Sequence, residues 1–252
     1  MKTHFKIFFS VSIFSLLFCF AAPSGLFAQA KFITSGKIEY EKKTNMHAMM
    51  EDGFWGDQIR DNMPQFRTTY FDLIFANNQS IYQNGREVDD KYKNSWFAQT
   101  NENIIYNNYD SGKTTTQKQV YETNYLLKDS LVNIEWRITN ETRTIAGFEC
   151  KKAVGRFMDT LYVVAFYTDE ILTPAGPDIF SGLPGLILGI GFPRMHYTLY
   201  ATKLELAEIK PSDLKAPTKG KKTNRKEMFA TIKAATKDWG KDANKYFLQT
   251  AL

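Results

Sequence analysis

The stretch Ser181–Pro193, Ser-Gly-Leu-Pro-Gly-Leu-Ile-Leu-Gly-Ile-Gly-Phe-Pro, leaves its backbone few choices. Proline sets φ at the first central position of a turn and glycine accepts φ > 0 at the second. Pro184-Gly185 therefore predicts a type II turn. Leu186, Ile187, Leu188 and Ile190 leave that turn as an apolar strand. Gly189 and Gly191 share a face with Ile187, so half of this strand is nearly bare. Glycine so placed admits another backbone or a ligand at close range, at some expense in strand stability. Pro174, Gly176 and Pro177 stiffen the approach. On this reading the ligand-contact residues are Gly182, Leu183, Pro184, Gly185, Leu186, Gly189 and Gly191.

Two-residue alternation runs through much of the remaining chain. Ile38 and Tyr40 alternate with Lys37, Glu39 and Glu41, which predicts a half-buried strand over Gly36–Lys42. Phe71, Leu73 and Phe75 repeat the pattern, and Asn77-Asn78 and Asn84-Gly85 supply turns. Further strands are predicted over Asn94–Tyr109, Thr114–Tyr121, Val132–Thr139, Thr144–Phe157, Leu161–Tyr167 and Met195–Leu206. Thr44–Met63 loses the period and predicts a short helix or an aromatic loop, closed by Pro64. Beyond a linker over Asp213–Lys222, Asn224 caps a helix with Glu227 three residues on. Phe229, Ile232, Ala235 and Trp239 follow at helical spacing. Many short strands with Asn/Gly turns and few helices indicate a mainly β fold. A curved antiparallel sheet or open barrel-like domain with a C-terminal helix is expected, with a β-sandwich as the alternative.

The first thirty residues carry Lys2 and Lys6, a nearly unbroken apolar run from Ile7 to Ala22, and Ala28-Gln29-Ala30. That is the pattern of a secretory signal peptide cleaved before Lys31. The expected organisation is thus a signal peptide over 1–30, a β domain over 31–212, and a linker with a helical segment over 213–252. The mature chain would keep 30 Lys/Arg against 27 Asp/Glu, a net charge of +3 without a basic arm. Nucleic-acid binding needs cations clustered on one face, and none are. No second apolar stretch approaches the roughly 20 residues of a membrane helix, so the mature chain is not expected to be an integral membrane protein. Of the two cysteines only Cys150 would remain. It shares a parity with Phe148 and Val154, which predicts a buried, inert thiol.

No catalytic constellation emerges. Ser181 lies outside a G-x-S-x-G elbow, and Gly189-Ile190-Gly191 lacks the third glycine of a dinucleotide loop. Asp89-Asp90 and Asp169-Glu170 are sequential neighbours, which point to opposite faces of an extended chain. A non-enzymatic role is expected, with a hydrolase built on dispersed carboxylates ranked last. Met46, His47, Met49 and Met50 form a dense cluster, and Met195-His196 opens the last predicted strand. The expected reading is that these methionines fill an irregular patch of core and that no cofactor is bound. Thioether and imidazole suit Cu(I), so a copper-binding protein with Met46, His47, Met49, Met50 and His196 as ligands is the alternative.

Gly182-Leu183-Pro184-Gly185-Leu186-Ile187 resembles the signature of the GLPGLI family of secreted Bacteroidetes proteins. Gly36-Lys37-Ile38-Glu39-Tyr40 resembles its opening strand, and Gly147–Ala153 its central Cys-Lys-Ala segment. Ala165-Phe166-Tyr167-Thr168 with Gly176-Pro177 resembles the lead-in to the signature. The resemblance implies an exported protein of the periplasm or cell surface, an accessory to outer-membrane or cell-surface proteins. Combined with the bare glycine face, it leads to an expected apolar or peptide-like ligand. It brings no catalytic residues with it.

Overall fold

The computed structural model describes residues 33–49, 54–89, 103–240 and 242–252. The expected signal peptide, Met50, Asp90 and the first half of the predicted Asn94–Tyr109 strand lie outside the described residues. Among the described residues, no helix is long and apolar enough to cross a membrane.

Alternation in Gly36–Asn45 produces β1, whose Ile38 and Tyr40 are fully buried while Glu39 and Glu41 face outward. Two short helices follow, α1 (Met46–Met49) and α2 (Phe54–Asn62). An antiparallel meander then runs through β2 (Phe66–Ala76), β3 (Gln79–Asn84), β4 (Ile104–Asn108), β5 (Lys113–Val120) and β6 (Thr123–Ser130). Asn77 and Asn78, with φ of 50° and 54°, make the predicted turn between β2 and β3. The second half of the sheet is β7 (Arg137–Ile145), β8 (Phe148–Phe157), β9 (Leu161–Thr168), β10 (Leu186–Phe192) and β11 (Tyr197–Glu205). Strand β12 (Lys221–Thr223) precedes helices α3 (Arg225–Ala235) and α4 (Asp242–Ala251).

The twelve strands of the described residues form one sheet in the order β12-β6-β5-β4-β3-β2-β1-β11-β10-β9-β8-β7. Only β12 with β6 is parallel. Among the described residues the two end strands do not pair, so the sheet is open, and neither a closed barrel nor two packed sheets is formed. Its apolar face gathers Ile38, Tyr40, Leu73, Phe75, Tyr82, Ile105, Ala165 and Leu199 into the main core. The segment between β9 and β10, Asp169–Gly185, folds over that core as a plug: Ile171, Ala175 and Phe180 are fully buried. At the other end Met228, Ile232 and Phe247 of α3 and α4 cover Val120, Tyr125 and Leu127. Asn224 caps α3 as predicted, its Oδ1 accepting the Glu227 N–H at 2.9 Å.

Several local expectations are corrected. Thr144–Phe157 is not one strand: Ala146 and Gly147, with φ of 49° and 88°, form a two-residue turn that splits it into β7 and β8. The alternation in Val132–Thr139 begins outside the sheet. Ile134 and Trp136 lie over β8, where a Cβ on Gly155 would meet them at 2.7 and 2.9 Å. The Asp213–Lys222 linker is itself packed: Leu214 is buried against Ala76 and Ile81, and β12 begins at Lys221.

Pro184-Gly185 turns more tightly than predicted. The Gly185 N–H donates to the Leu183 carbonyl at 2.8 Å, a three-residue turn centred on Pro184. Gly185 has φ +150°, and a Cβ there would stand 2.1 Å from the Thr168 carbonyl oxygen. Gly182 has φ +91° with open space around its Cβ position. Gly185→Ala should therefore destabilise the fold by more than about 2 kcal/mol, and Gly182→Ala by about 1 kcal/mol from backbone conformation alone. Urea denaturation of both variants checks the difference; equal losses would contradict the close approach at Thr168.

Candidate functional site

The Ser181–Pro193 block is anchored from all sides by its own chain. Gly182 N–H donates to Pro174 O, Leu186 N–H to Ile171 O and Ile187 N–H to Ala175 O, at 3.0–3.1 Å. The Tyr40 hydroxyl, on β1, donates to the Ile187 carbonyl. Phe180 lies between Phe157 and Phe192, with ring centroids 5.9 and 5.1 Å away. The bare face of β10 is occupied at Gly189, where a Cβ would meet the Tyr200 ring at 2.7 Å and Ile145 at 2.9 Å. Arg143 lies across the Tyr200 and Phe166 rings, and its Nη1 donates to the Tyr200 hydroxyl at 2.8 Å. Leu183, Gly185 and Leu186 are buried, Gly191 is half-buried, and Gly182 and Pro184 are exposed. A ligand touching this block would meet Gly182, Pro184 and Gly191.

The methionine–histidine segments do come together. Asn45 N–H donates to the His196 carbonyl at 2.8 Å, beside the pairing of Thr44 with Tyr197. Met46 is buried and His47 half-buried, with His47 Nε2 3.0 Å from the Met63 carbonyl. That contact is a hydrogen bond when Nε2 carries the proton, which leaves Nδ1 with the free lone pair. His196 is exposed with φ 55°. Among the described residues no three His, Cys, Asp or Glu side chains are grouped as for a metal. Cys150 is fully buried, and desolvation pushes its thiol up to about 11. Asp169 is paired at the surface with Lys151 rather than with a second carboxylate.

The most unusual chemistry lies where sequence reading placed none. Lys42 of β1 and Lys118 of β5 project from the core-facing side of the sheet, and Asp178 reaches towards them from the plug. Lys118 is 4 % exposed. Burial pulls its amine down to about 8, reinforced by Lys42 and Arg225 and opposed by Asp178. Burial lowers Lys42 too, and its Nζ sits 4.1 Å from the centre of the Tyr197 ring. Burial raises the Asp178 carboxyl, against the pull of Lys118 and Lys42. The same desolvation holds the Tyr82 and Tyr197 phenols well above their usual range.

Two cavities adjoin this cluster. The inner one, of about 20 Å3, is lined by Asn103, Thr114, Thr116, Lys118, Asp178, Arg225 and Phe229 among others. The outer one is an open groove of about 480 Å3 along α3, lined by Asp129, Arg225, Lys226, Phe229, Ala230 and Lys233. Arg225 and Phe229 belong to both, so the groove leads towards the buried amines. Asp129 fixes the start of α3 by accepting the Arg225 backbone N–H at 2.9 Å. Neither cavity touches Gly182–Gly191.

Residues 155–189, which include the plug and the start of β10, match the family model Porph_ging, described as a protein of unknown function. No curated protein matches the sequence. Among solved structures, two crystal forms of PNGF-II, in space groups P21 and C2, resemble the chain at 17% identity and TM-score 0.51. The match covers 75% of this chain but only 32% and 31% of PNGF-II, so the chain spans about a third of that protein's length. At this identity the likeness is one of fold.

The buried amine has a consequence for stability. Between its folded value of about 8 and the ordinary 10.5, the unfolded chain holds a proton at Lys118 that the folded chain has released. Stability should therefore rise with pH in that window, by up to about 1.4 kcal/mol per pH unit, until the buried phenols reverse the trend. Below the folded value both states are protonated and the contribution is flat. Urea midpoints measured from pH 7 upwards, each pH given as about one unit apart, should show a rise that Lys118→Met diminishes. A profile identical in the two proteins would mean that the amine titrates normally.

Proposed function

We propose that this chain is an exported cell-envelope protein of the GLPGLI type that binds a peptide-like ligand carrying acidic and apolar groups. The observation that carries this reading is the open groove along α3. Its volume of about 480 Å3 falls within the roughly 300–1,000 Å3 typical of ligand sites. Arg225, Lys226 and Lys233 give it a cationic wall and Phe229 an apolar one, with one carboxylate, Asp129, already engaged by backbone. Such a surface favours acidic side chains flanking an aromatic or aliphatic one. The GLPGLI block then serves as a rigid frame outside the groove that holds the ligand. The role is that of a binding or accessory protein for outer-membrane or cell-surface partners, without catalysis of its own.

Fluorescence anisotropy with labelled peptides tests this. An Asp/Phe-containing peptide should bind, weaken with rising salt, and lose about tenfold in affinity in Lys226→Glu/Lys233→Glu. Equal binding of a Lys/Phe peptide, or no effect of the double variant, would exclude the groove as the site.

A second reading, copper handling, is favoured by the backbone contact that brings His196 beside Asn45. Met46, His47, Met49, Met50 and His196 then supply thioether and imidazole ligands, with His47 offering Nδ1. Titration with Cu(I) under reducing conditions should show stoichiometric binding that His47→Ala weakens at least tenfold. An unchanged affinity in that variant would leave the cluster as packing.

A further inference from the structure

We propose that Lys118 is a carbamylation site, at which the amine captures carbon dioxide and is retained as a carbamate in the inner cavity. An unsatisfied acceptor and a desolvated amine line the same cavity there. Ile104 pairs with Gln117 across the β4–β5 ladder, so Asn103 and Lys118 stand opposite one another at its end. Asn103 is 6 % exposed; its Nδ2 donates to the Leu252 carbonyl at 3.4 Å, and its Oδ1 is buried with no hydrogen-bond partner. Lys118, equally buried, makes no hydrogen bond or ion pair among the described residues. Native interiors rarely leave such groups unmet, and each costs free energy until something occupies the space between them.

Volume and charge limit what that occupant can be. The cavity of about 20 Å3 exceeds the roughly 10–15 Å3 that one water needs, and suits the three atoms of a carboxylate group. Lys42, Lys118 and Arg225 bring three positive charges together against the single carboxylate of Asp178. Farther out, Arg67 beside Lys42 and Asp129 beside Arg225 offset each other. Carbamylation turns the Lys118 cation into an anion. Lys42 and Arg225 then balance the carbamate and Asp178, and the interior becomes neutral. A neutral buried set is far less costly than one with an excess of charge.

The reaction balances without an oxidant or reductant. The lone pair of the neutral amine attacks the carbon of carbon dioxide, and one C=O π pair moves onto oxygen. The nitrogen then releases a proton to solvent, so that R–NH2 + CO2 gives R–NH–CO2⁻ + H⁺. The product's N–H is a donor for Asn103 Oδ1, and its oxygens are acceptors for Arg225. Burial supplies the neutral amine, since Lys118 titrates at about 8. This inference does not depend on what binds the outer groove.

The test equilibrates the whole protein with 13C-labelled bicarbonate, then reads the carbamate carbon by NMR and the intact mass by native mass spectrometry. Trapping with triethyloxonium ion and peptide mapping locates the adduct in the wild-type chain, where no variant can confound the result. The expected adduct lies on Lys118 at higher occupancy than on the exposed Lys113 or Lys128, despite its burial. It should fall as pH drops below about 8, vanish in Lys118→Arg, and decrease several-fold in Asn103→Leu, with folding of both variants checked by circular dichroism. Label confined to surface lysines or the α-amine, with a 13C spectrum unchanged by Lys118→Arg, would overturn the proposal and leave the cavity to water.

Discussion

An open sheet can bury one face only if something outside the sheet covers it, and here the plug between β9 and β10 does so. Phe180, set between Phe157 and Phe192, is the centre of that contact. Dense aromatic packing of this kind contributes area burial together with ring–ring geometry. The hydrogen bonds from Gly182, Leu186 and Ile187 back to Pro174, Ile171 and Ala175 satisfy the backbone that the plug takes out of water. The glycines of the block are best understood from this side. Gly185 passes against the Thr168 carbonyl, and Gly189 makes room for Tyr200, so the signature sequence records close approaches within the chain.

The same plug carries Asp178, the one carboxylate among the described residues whose titration is raised by burial. Asp178 has φ 58°, and its Oδ1 accepts the N–H of Ile179 at 2.8 Å. From there it acts on Lys42 and Lys118, which come from strands on opposite sides of β2 and β3. Apolar packing and buried charge are therefore coupled through one segment. A change that lifted Phe180 would also remove the counter-charge from two amines.

Where the sequence was legible, local chemistry and tertiary position agreed. Ile38 and Tyr40 alternate with charge and occupy the centre of the sheet; Asn77-Asn78 turns; Asn224 caps. The open, mainly β architecture followed from such elements. Ala146 hid the β7–β8 turn, because alanine seldom takes φ > 0 and so gave no turn signal. Ile134 and Trp136 alternate because one side of an extended segment rests on β8, without a ladder partner of its own. The interior cluster was invisible for a deeper reason. Lys118 sits in Thr-Thr-Thr-Gln-Lys-Gln, a pattern that reads as solvent-facing, and nothing local says that α3, more than a hundred positions later, will cover it. Gly189 and Gly191 do share one strand, but the expected face in common with Ile187 is wrong: a bulge between Ile187 and Gly189 turns the glycines to the opposite face, where Tyr200 and Ile145 fill the space beside Gly189.

The order of the strands also governs when the molecule can become whole. β1 pairs with β2, its near neighbour, but on its other edge with β11, where Lys37 meets Glu205. The two halves of the sheet therefore join through a seam between strands about 150 residues apart, Gly36–Asn45 and Tyr197–Glu205. Loop closure over such a distance is slow compared with forming the β2–β6 meander or the β7–β8 hairpin. Two partly formed sheets, each with an apolar face and a raw edge, would exist before that seam closes. Such intermediates are prone to pair with other chains, so the assembly of this protein depends on the timing of β11 as much as on the stability of the finished core.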